Sequence, residues 1–131
     1  PAEETDVLKI VNTIGEGRKN EALKFIDVFL RSGSAGDEKG LIIQLNALLS
    51  EQFRNIFVLQ EFFARNLSEH AILEKTAWKP GRLFILKKIA QKFSAQKVRE
   101  LLSKLEHLDE ELKTSSTPPR VLLDLILSQV Y

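Results

Sequence analysis

Two histidines are the side chains of this sequence that could bind a metal ion or transfer a proton near neutral pH. They are His70 and His107. His107 and Glu110 stand three residues apart on a helical stretch, a spacing that can place two ligands beside one metal ion. The chain offers no second pair of this kind, and two ligands rarely hold a metal. We therefore expect both histidines on the solvated surface and predict no metal site.

Carboxylates, glycines and serines form no recognisable reaction centre either. The three acidic residues 109–111 are consecutive, so on a helix they point in different directions and do not converge on one substrate atom. The stretch 15–19, Gly-Glu-Gly-Arg-Lys, resembles part of a phosphate loop, but it lacks a preceding strand and a Gly-Lys-Ser/Thr ending. No serine lies in a nucleophile elbow. We predict no catalytic residue, no cofactor and a chain that is not an enzyme.

The distribution of basic residues gives a stronger functional signal than these motifs. The segment 75–99 contains no acidic residue and eight basic residues, which are Lys75, Lys79, Arg82, Lys87, Lys88, Lys92, Lys97 and Arg99. On a helix over about 81–93, Lys87, Lys88 and Lys92 share one arc, opposite an apolar side. Because no acidic residue is near in sequence, we expect the charge of this arc to be locally uncompensated.

The basic arc has three interpretations that the residues leave open. Beside Trp78 and Phe84 it could follow a phosphate backbone. It could equally meet an acidic surface of a partner protein, or remain a solvated face. Arg82, Lys87, Lys88 and Lys92 are therefore candidate contact residues for a protein partner or for DNA.

Composition narrows the class of protein. The chain has 131 residues and a net charge of +1, so its overall charge favours neither nucleic acid nor an anionic membrane. Cysteine is absent, which favours a cytoplasmic location. The start lacks the features of a signal peptide, and no apolar run is long enough to cross a membrane. Because residue 1 is Pro rather than Met, we expect a fragment of a longer protein.

Helical periodicity, interrupted at Gly and Pro, predicts an all-α fold. We expect helices over about 7–14, 18–32, 37–65, 69–77, 81–93, 95–113 and 118–130. Thr5 or Asp6 could cap the first, Gly15 and Gly17 could end it, and Gly33 and Gly36 could end the second.

Apolar residues lie on nearly every side of the 37–65 segment, which predicts a central helix. Membrane insertion is the alternative, but polar residues such as Gln44 and Glu51 interrupt the run. The prediction is one domain over 1–131, a compact bundle of five to seven helices.

The stretch 94–123 is typical of a packing device. Ser94 can cap a helix because its hydroxyl accepts from free backbone N–H groups. The apolar residues behind it recur at steps of three and four and are Val98, Leu101, Leu105, Leu108 and Leu112. A Thr/Ser stop, a Pro-Pro start and a second leucine-rich helix follow. This arrangement predicts a helical assembly module.

Three stretches in this order resemble the C-terminal collar domain of the DNA polymerase III delta subunit, a component of the bacterial clamp loader. The first is VNTIGEGRKNEALKFIDVFLRSG, similar to the opening helix pair, and the second is LNALLSEQFRNIFVLQE, similar to the long central helix. The third is WKPGR followed by KKIAQKFS, LLSKLEHLDEELKTS and PPRVLLDLIL. The resemblance extends from about Val7 to Tyr131.

The resemblance implies an assembly function. In such a subunit this domain would follow two AAA+-type domains, which would carry the contact with the sliding clamp and are missing here. The expected partners are collar domains of other clamp-loader subunits, with DNA binding weak in isolation and no membrane contact. A nucleic-acid-binding domain that uses the basic arc is the alternative function, and steep salt dependence would distinguish it.

Overall fold

A computed structural model describes residues 2–32 and 37–130 of the chain. In those ranges it contains seven helices and no strand. They are α1 (Ala2–Gly15), α2 (Lys19–Ser32), α3 (Glu38–Ala64), α4 (Glu69–Lys75), α5 (Pro80–Ala90), α6 (Ala95–Thr114) and α7 (Pro119–Val130). The all-α prediction is confirmed. None of these helices combines the length and the apolar character that a membrane span requires.

Three helices begin at predicted positions, where a side chain caps the first turn by a hydrogen bond. The side chain of Asp37 accepts a hydrogen bond from the backbone N–H of Lys39 at 3.1 Å. Ser68 accepts from Ala71 at 3.2 Å, and Ser94 accepts from Lys97 at 3.0 Å. Each bond satisfies an N–H group that the first helical turn leaves free.

Other predicted boundaries differ from the structure. α1 already begins at Ala2, so Thr5 and Asp6 lie inside the helix and neither one starts it. Of the two glycines expected to end α1, Gly15 is its last residue, and only Gly17 has the left-handed backbone, with φ of 72°. α5 ends at Ala90, before the predicted 93, because the chain turns through 91–93. Gly33 and Gly36 lie outside the described residues.

α3 is the central helix of the bundle, as predicted. It has 27 residues and packs against α1, α2, α5, α6 and α7. Its buried Asn46 donates to the carbonyl oxygen of Leu105 at 3.0 Å, which ties it to α6. Gln60 donates to the carbonyl oxygen of Phe93 at 2.9 Å, and the rings of Phe53 and Phe93 meet edge to face with centroids 5.4 Å apart. These contacts hold the turn between α5 and α6 against α3.

α6 buries one stripe and leaves the rest of its surface polar. Its buried residues are Val98, Leu101, Leu105, Leu108 and Leu112, the set that the sequence periodicity indicates. They join a continuous apolar core to which all seven helices contribute. α6 therefore depends on its partners α3 and α7 for stability more than on intrinsic helix propensity.

Candidate interaction surface

α5 carries the candidate contact residues, and its inner side fixes its orientation. Pro80 occupies the first turn, where its missing N–H has no helical partner to lose. Leu83, Leu86 and Ile89 are buried against the core, and α5 packs on α1, α3 and α4. Ala90 is buried as well, and the other residues of α5 face outward or toward the edges of its neighbours.

Three of the four predicted contact residues have acidic partners within the chain. Arg82 lies 2.8 Å from Glu4 of α1. Lys87 lies 3.0 Å from Glu69 of α4, and Lys92 lies 3.0 Å from Glu16 after α1. The expectation that the charge of the basic arc is locally uncompensated is therefore wrong for Lys87 and Lys92. The three carboxylates lie on α1, on α4 and directly after α1, and the sequence of 75–99 does not reveal them.

Lys88 is different from the other three. Its ammonium nitrogen lies 4.3 Å from the centroid of the Phe84 ring, a cation–π arrangement one turn along the helix. Among the side chains that the structure describes, no carboxylate pairs with Lys88. The same holds for Lys75, the last residue of α4, for Lys79, which directly precedes α5, and for Arg99 of α6. Lys97 donates to the backbone carbonyl oxygen of Val130. On the outer side of α5, Lys88 is thus a cation without a carboxylate partner among the described side chains.

Glu16 accepts hydrogen bonds from two cations, Lys92 just after α5 and Arg18 just before α2. The hydrogen bond from Lys92, followed by that from Arg18, lowers the pKa of the Glu16 carboxyl below its usual value of 4.5. Lys92 also donates to the side-chain oxygen of Asn12. Gly15 makes this approach possible, because a Cβ built at residue 15 would lie only 2.8 Å from Cε2 of Phe93. The end of α1 is thereby held against the 91–93 turn.

The outer side of α5 also exposes apolar surface. Phe84 is 58% exposed and Ile85 is 46% exposed. Sequence reasoning placed Phe84 beside the basic arc but missed Ile85. The signal was the unbroken run Leu-Phe-Ile-Leu at 83–86, because four consecutive apolar residues on a helix cannot all face one core.

A second exposed apolar surface lies on α7. Val121 and Leu125 are 46% and 52% exposed and stand one turn apart. Leu125 borders a cavity of about 330 Å³ between α6 and α7, together with His107, Glu111 and Gln129. Sequence reasoning did not single out these outward residues of α7.

The residues considered for metal binding do not assemble. Nε2 of His107 lies 3.7 Å from Oε1 of Glu111, so its neighbour is one residue beyond the expected Glu110. Nε2 of His70 lies 2.8 Å from Oε1 of Glu74. Both histidines are exposed. In the part of the chain that the structure describes, no group of three or more His, Cys, Asp or Glu residues could hold a metal ion.

Comparisons with known proteins agree with this architecture. Residues 4–130 match the family described as DNA polymerase III delta subunit, C-terminal domain. DNA polymerase III subunit delta of Bacillus subtilis (strain 168) is 25% identical over 127 residues, which cover 97% of this chain and 35% of the relative. The solved structure of the Bacillus subtilis DNA clamp loader delta protein superposes with a TM-score of 0.84 at 25% identity, covering 97% of this chain and 36% of that one.

The chain thus spans about a third of the length of the relatives that it matches. Within that third, sequence and fold agree from one end of the described residues to the other. The chain belongs to the family formed by the C-terminal domain of the DNA polymerase III delta subunit.

Proposed function

We propose that this chain is the collar domain of a clamp-loader delta subunit, an assembly module that packs against the collar domains of neighbouring subunits during sliding-clamp loading. The observation that carries the proposal is the family match over residues 4–130. The relatives named above are a DNA polymerase III subunit and a clamp-loader protein, which are members of assemblies.

Exposed apolar surface on two separate helices supports an assembly role. Phe84 and Ile85 lie on α5, which packs on α1, α3 and α4, whereas Val121 and Leu125 lie on α7, which packs on α6 and α3. A member of a closed ring meets its neighbours through different surfaces on its two sides. Two apolar surfaces on different helices fit that requirement.

The proposal extends to the rest of the protein. The chain is a single collar domain of a longer subunit, works in the cytoplasm and is not catalytic. The sliding clamp is contacted by the N-terminal region, which lies outside these residues. The isolated chain should therefore neither turn over ATP nor bind the sliding clamp tightly.

DNA binding through the basic arc is the second candidate function. The observation that favours it is that five of the eight basic residues of 75–99 have no carboxylate partner among the described side chains. They are Lys75, Lys79, Lys88, Arg99 and Lys97, and Lys97 donates to the backbone carbonyl oxygen of Val130. Against it, Glu4, Glu16 and Glu69 place negative charge beside the arc. Any DNA affinity of the isolated chain should be weak and should fall steeply with salt.

Reconstitution tests both candidates. The chain is co-expressed with the other clamp-loader subunits of its organism, and the complex is sized by light scattering after gel filtration. The assembly proposal predicts a stoichiometric complex that survives raised salt, since an interface with an apolar core depends little on screening. Failure of the folded chain to join any such complex, or ATP turnover abolished by a point mutation within it, would contradict the proposal.

A further inference from the structure

We infer that the outer strip of α5, made of Gly81, Phe84, Ile85 and Lys88, is the docking surface for a helix of a neighbouring clamp-loader subunit that carries a carboxylate beside apolar side chains. This inference rests on the proposed function and deepens it by assigning one face and the chemistry of its partner. The strip residues follow the spacing i, i+3, i+4 and i+7, which places them on one side of a helix.

The apolar part of the strip is not explained by the fold of the chain itself. The inner side of α5 already supplies Leu83, Leu86 and Ile89 to the core. Among the residues that the structure describes, Phe84 is the most exposed large apolar side chain, and its neighbour in sequence, Ile85, is 46% exposed. Aromatic residues beside aliphatic ones are the typical anchors of protein interfaces.

Gly81 adds room at one end of the strip. A Cβ built at Gly81 would meet no atom within 4 Å. The backbone of α5 is therefore open at this turn, and a partner helix can approach it closely before it reaches Phe84.

The charge of Lys88 indicates which chemical groups the partner should carry. Arg82, Lys87 and Lys92 are held by carboxylates of this chain, whereas Lys88 lies over the Phe84 ring. Lys88 covers one face of the Phe84 ring, and its ammonium group can still bind an anion. The rest of the Phe84 ring and the side chain of Ile85 can still be covered by apolar groups. A partner that places a carboxylate next to its own apolar residues would satisfy both groups together.

Nucleic acid fits this strip less well. A phosphate backbone would meet Lys88 but would also approach Glu4 and Glu69, which flank the strip from α1 and α4. Ile85 offers no flat face on which a base could stack. A protein helix with alternating apolar and acidic groups matches the whole strip, and DNA becomes an outcome of the test.

The test compares two matched double variants in the reconstituted complex. Phe84→Ala with Ile85→Ala removes the outward apolar side chains of α5. Val121→Ala with Leu125→Ala removes the same kind of surface from α7. Circular dichroism and thermal unfolding first establish that both variants keep the wild-type fold. The dissociation constant for the complex of the other clamp-loader subunits is then measured for each chain.

We expect the α5 variant to bind at least about tenfold more weakly, because central apolar anchors dominate interface energy. Lys88→Glu should weaken binding more than Lys88→Gln, while Lys39→Glu at the start of α3, a reversal away from the strip, should change it little. Labelled single-stranded and duplex DNA should bind the wild type and Lys88→Glu equally weakly.

Three results would overturn the inference. If the α5 variant assembles normally and the α7 variant does not, the docking face is on α7, while the proposed assembly function stands. If the chain alone forms a dimer that the α5 variant abolishes, the occupant is a second copy. If the α5 variant loses DNA binding and keeps subunit binding, the strip serves nucleic acid. Failure of the wild type to assemble would contradict the proposed function instead.

Discussion

α6 and α5 bury similar kinds of side chain but differ on their outer sides. α6 has 20 residues, and its outward positions are polar or charged, including Arg99, Glu100, Ser103 and Glu106. α5 has 11 residues, and two of its outward positions are Phe84 and Ile85. Their starts differ as well, because Ser94 caps α6 whereas no side chain caps α5.

The difference separates surface that the fold needs from surface that it does not. A helix with one apolar stripe is fully explained by the core against which that stripe packs. A helix that is apolar inside and outside carries more apolar surface than its own chain can bury. Large effects on unfolding should therefore come from the inner sides of both helices, and the outer side of α5 should affect assembly alone.

Leu105→Ala gives the largest expected loss of stability. Leu105 is 5% exposed in the core stripe of α6, and the free energy of unfolding should fall by about 2–5 kcal/mol because a cavity is left. Phe84→Ala on the outer side of α5 should change it by less than about 0.5 kcal/mol. Urea unfolding of both variants measures the contrast. Equal losses would mean that the outer side of α5 is part of the core.

Gly15→Ala should rank second. The added methyl group would lie 2.8 Å from Cε2 of Phe93, so the 91–93 turn that links α5 to α6 must shift. Overpacking of this kind costs about 1–3 kcal/mol. Gly81→Ala is the matched control on α5, because its Cβ meets nothing within 4 Å. A Gly15→Ala variant as stable as wild type would show that α1 does not pack tightly against the turn.

Ser94→Ala should cost about 0.5–2 kcal/mol, since it removes the hydrogen bond that Ser94 accepts from the backbone N–H of Lys97. Ser103→Ala is the control, because Ser103 is exposed in the middle of the same helix, where Ala is favourable. Thermal unfolding of the two variants gives the difference. If both behave alike, the start of α6 is held by packing and the cap contributes nothing.

Local patterns predicted the helices well because their causes are local. The stripe of α6, the caps at Ser68 and Ser94 and the central position of α3 follow from spacing and side-chain chemistry. The start of α1 was missed, since Thr5 and Asp6 are acceptable inside a helix and their capping ability is then unused.

The candidate surface was predicted less well because its determinants are tertiary. The basic arc looked uncompensated, yet Glu16 lies 76 residues from Lys92 in the chain and reaches it only through the packing of α1 against α5. The outward direction of Ile85 likewise depends on which side of α5 meets the core. A periodic pattern identifies one buried stripe, but it cannot distinguish two apolar sides of a short helix.

The acid dependence of stability gives the smallest expected effect and tests which cations of the arc are already bound. Hydrogen bonding from Lys92 and Arg18 lowers the pKa of Glu16 below its usual value of 4.5. The ionised carboxylate therefore stabilises the fold at pH values above 4.5, and this contribution is lost as the pH falls through the lowered pKa. Lys92→Gln should reduce the loss of stability between neutral pH and about pH 3, while Lys88→Gln should leave it as in wild type, because no described carboxylate pairs with Lys88. Urea unfolding at both pH values measures the difference for each chain. Equal acid sensitivity in the wild type and Lys92→Gln would mean that the pair contributes nothing in solution. Lys92 would then be as available to a partner as Lys88, and the distinction between the bound and free cations of the arc would fail.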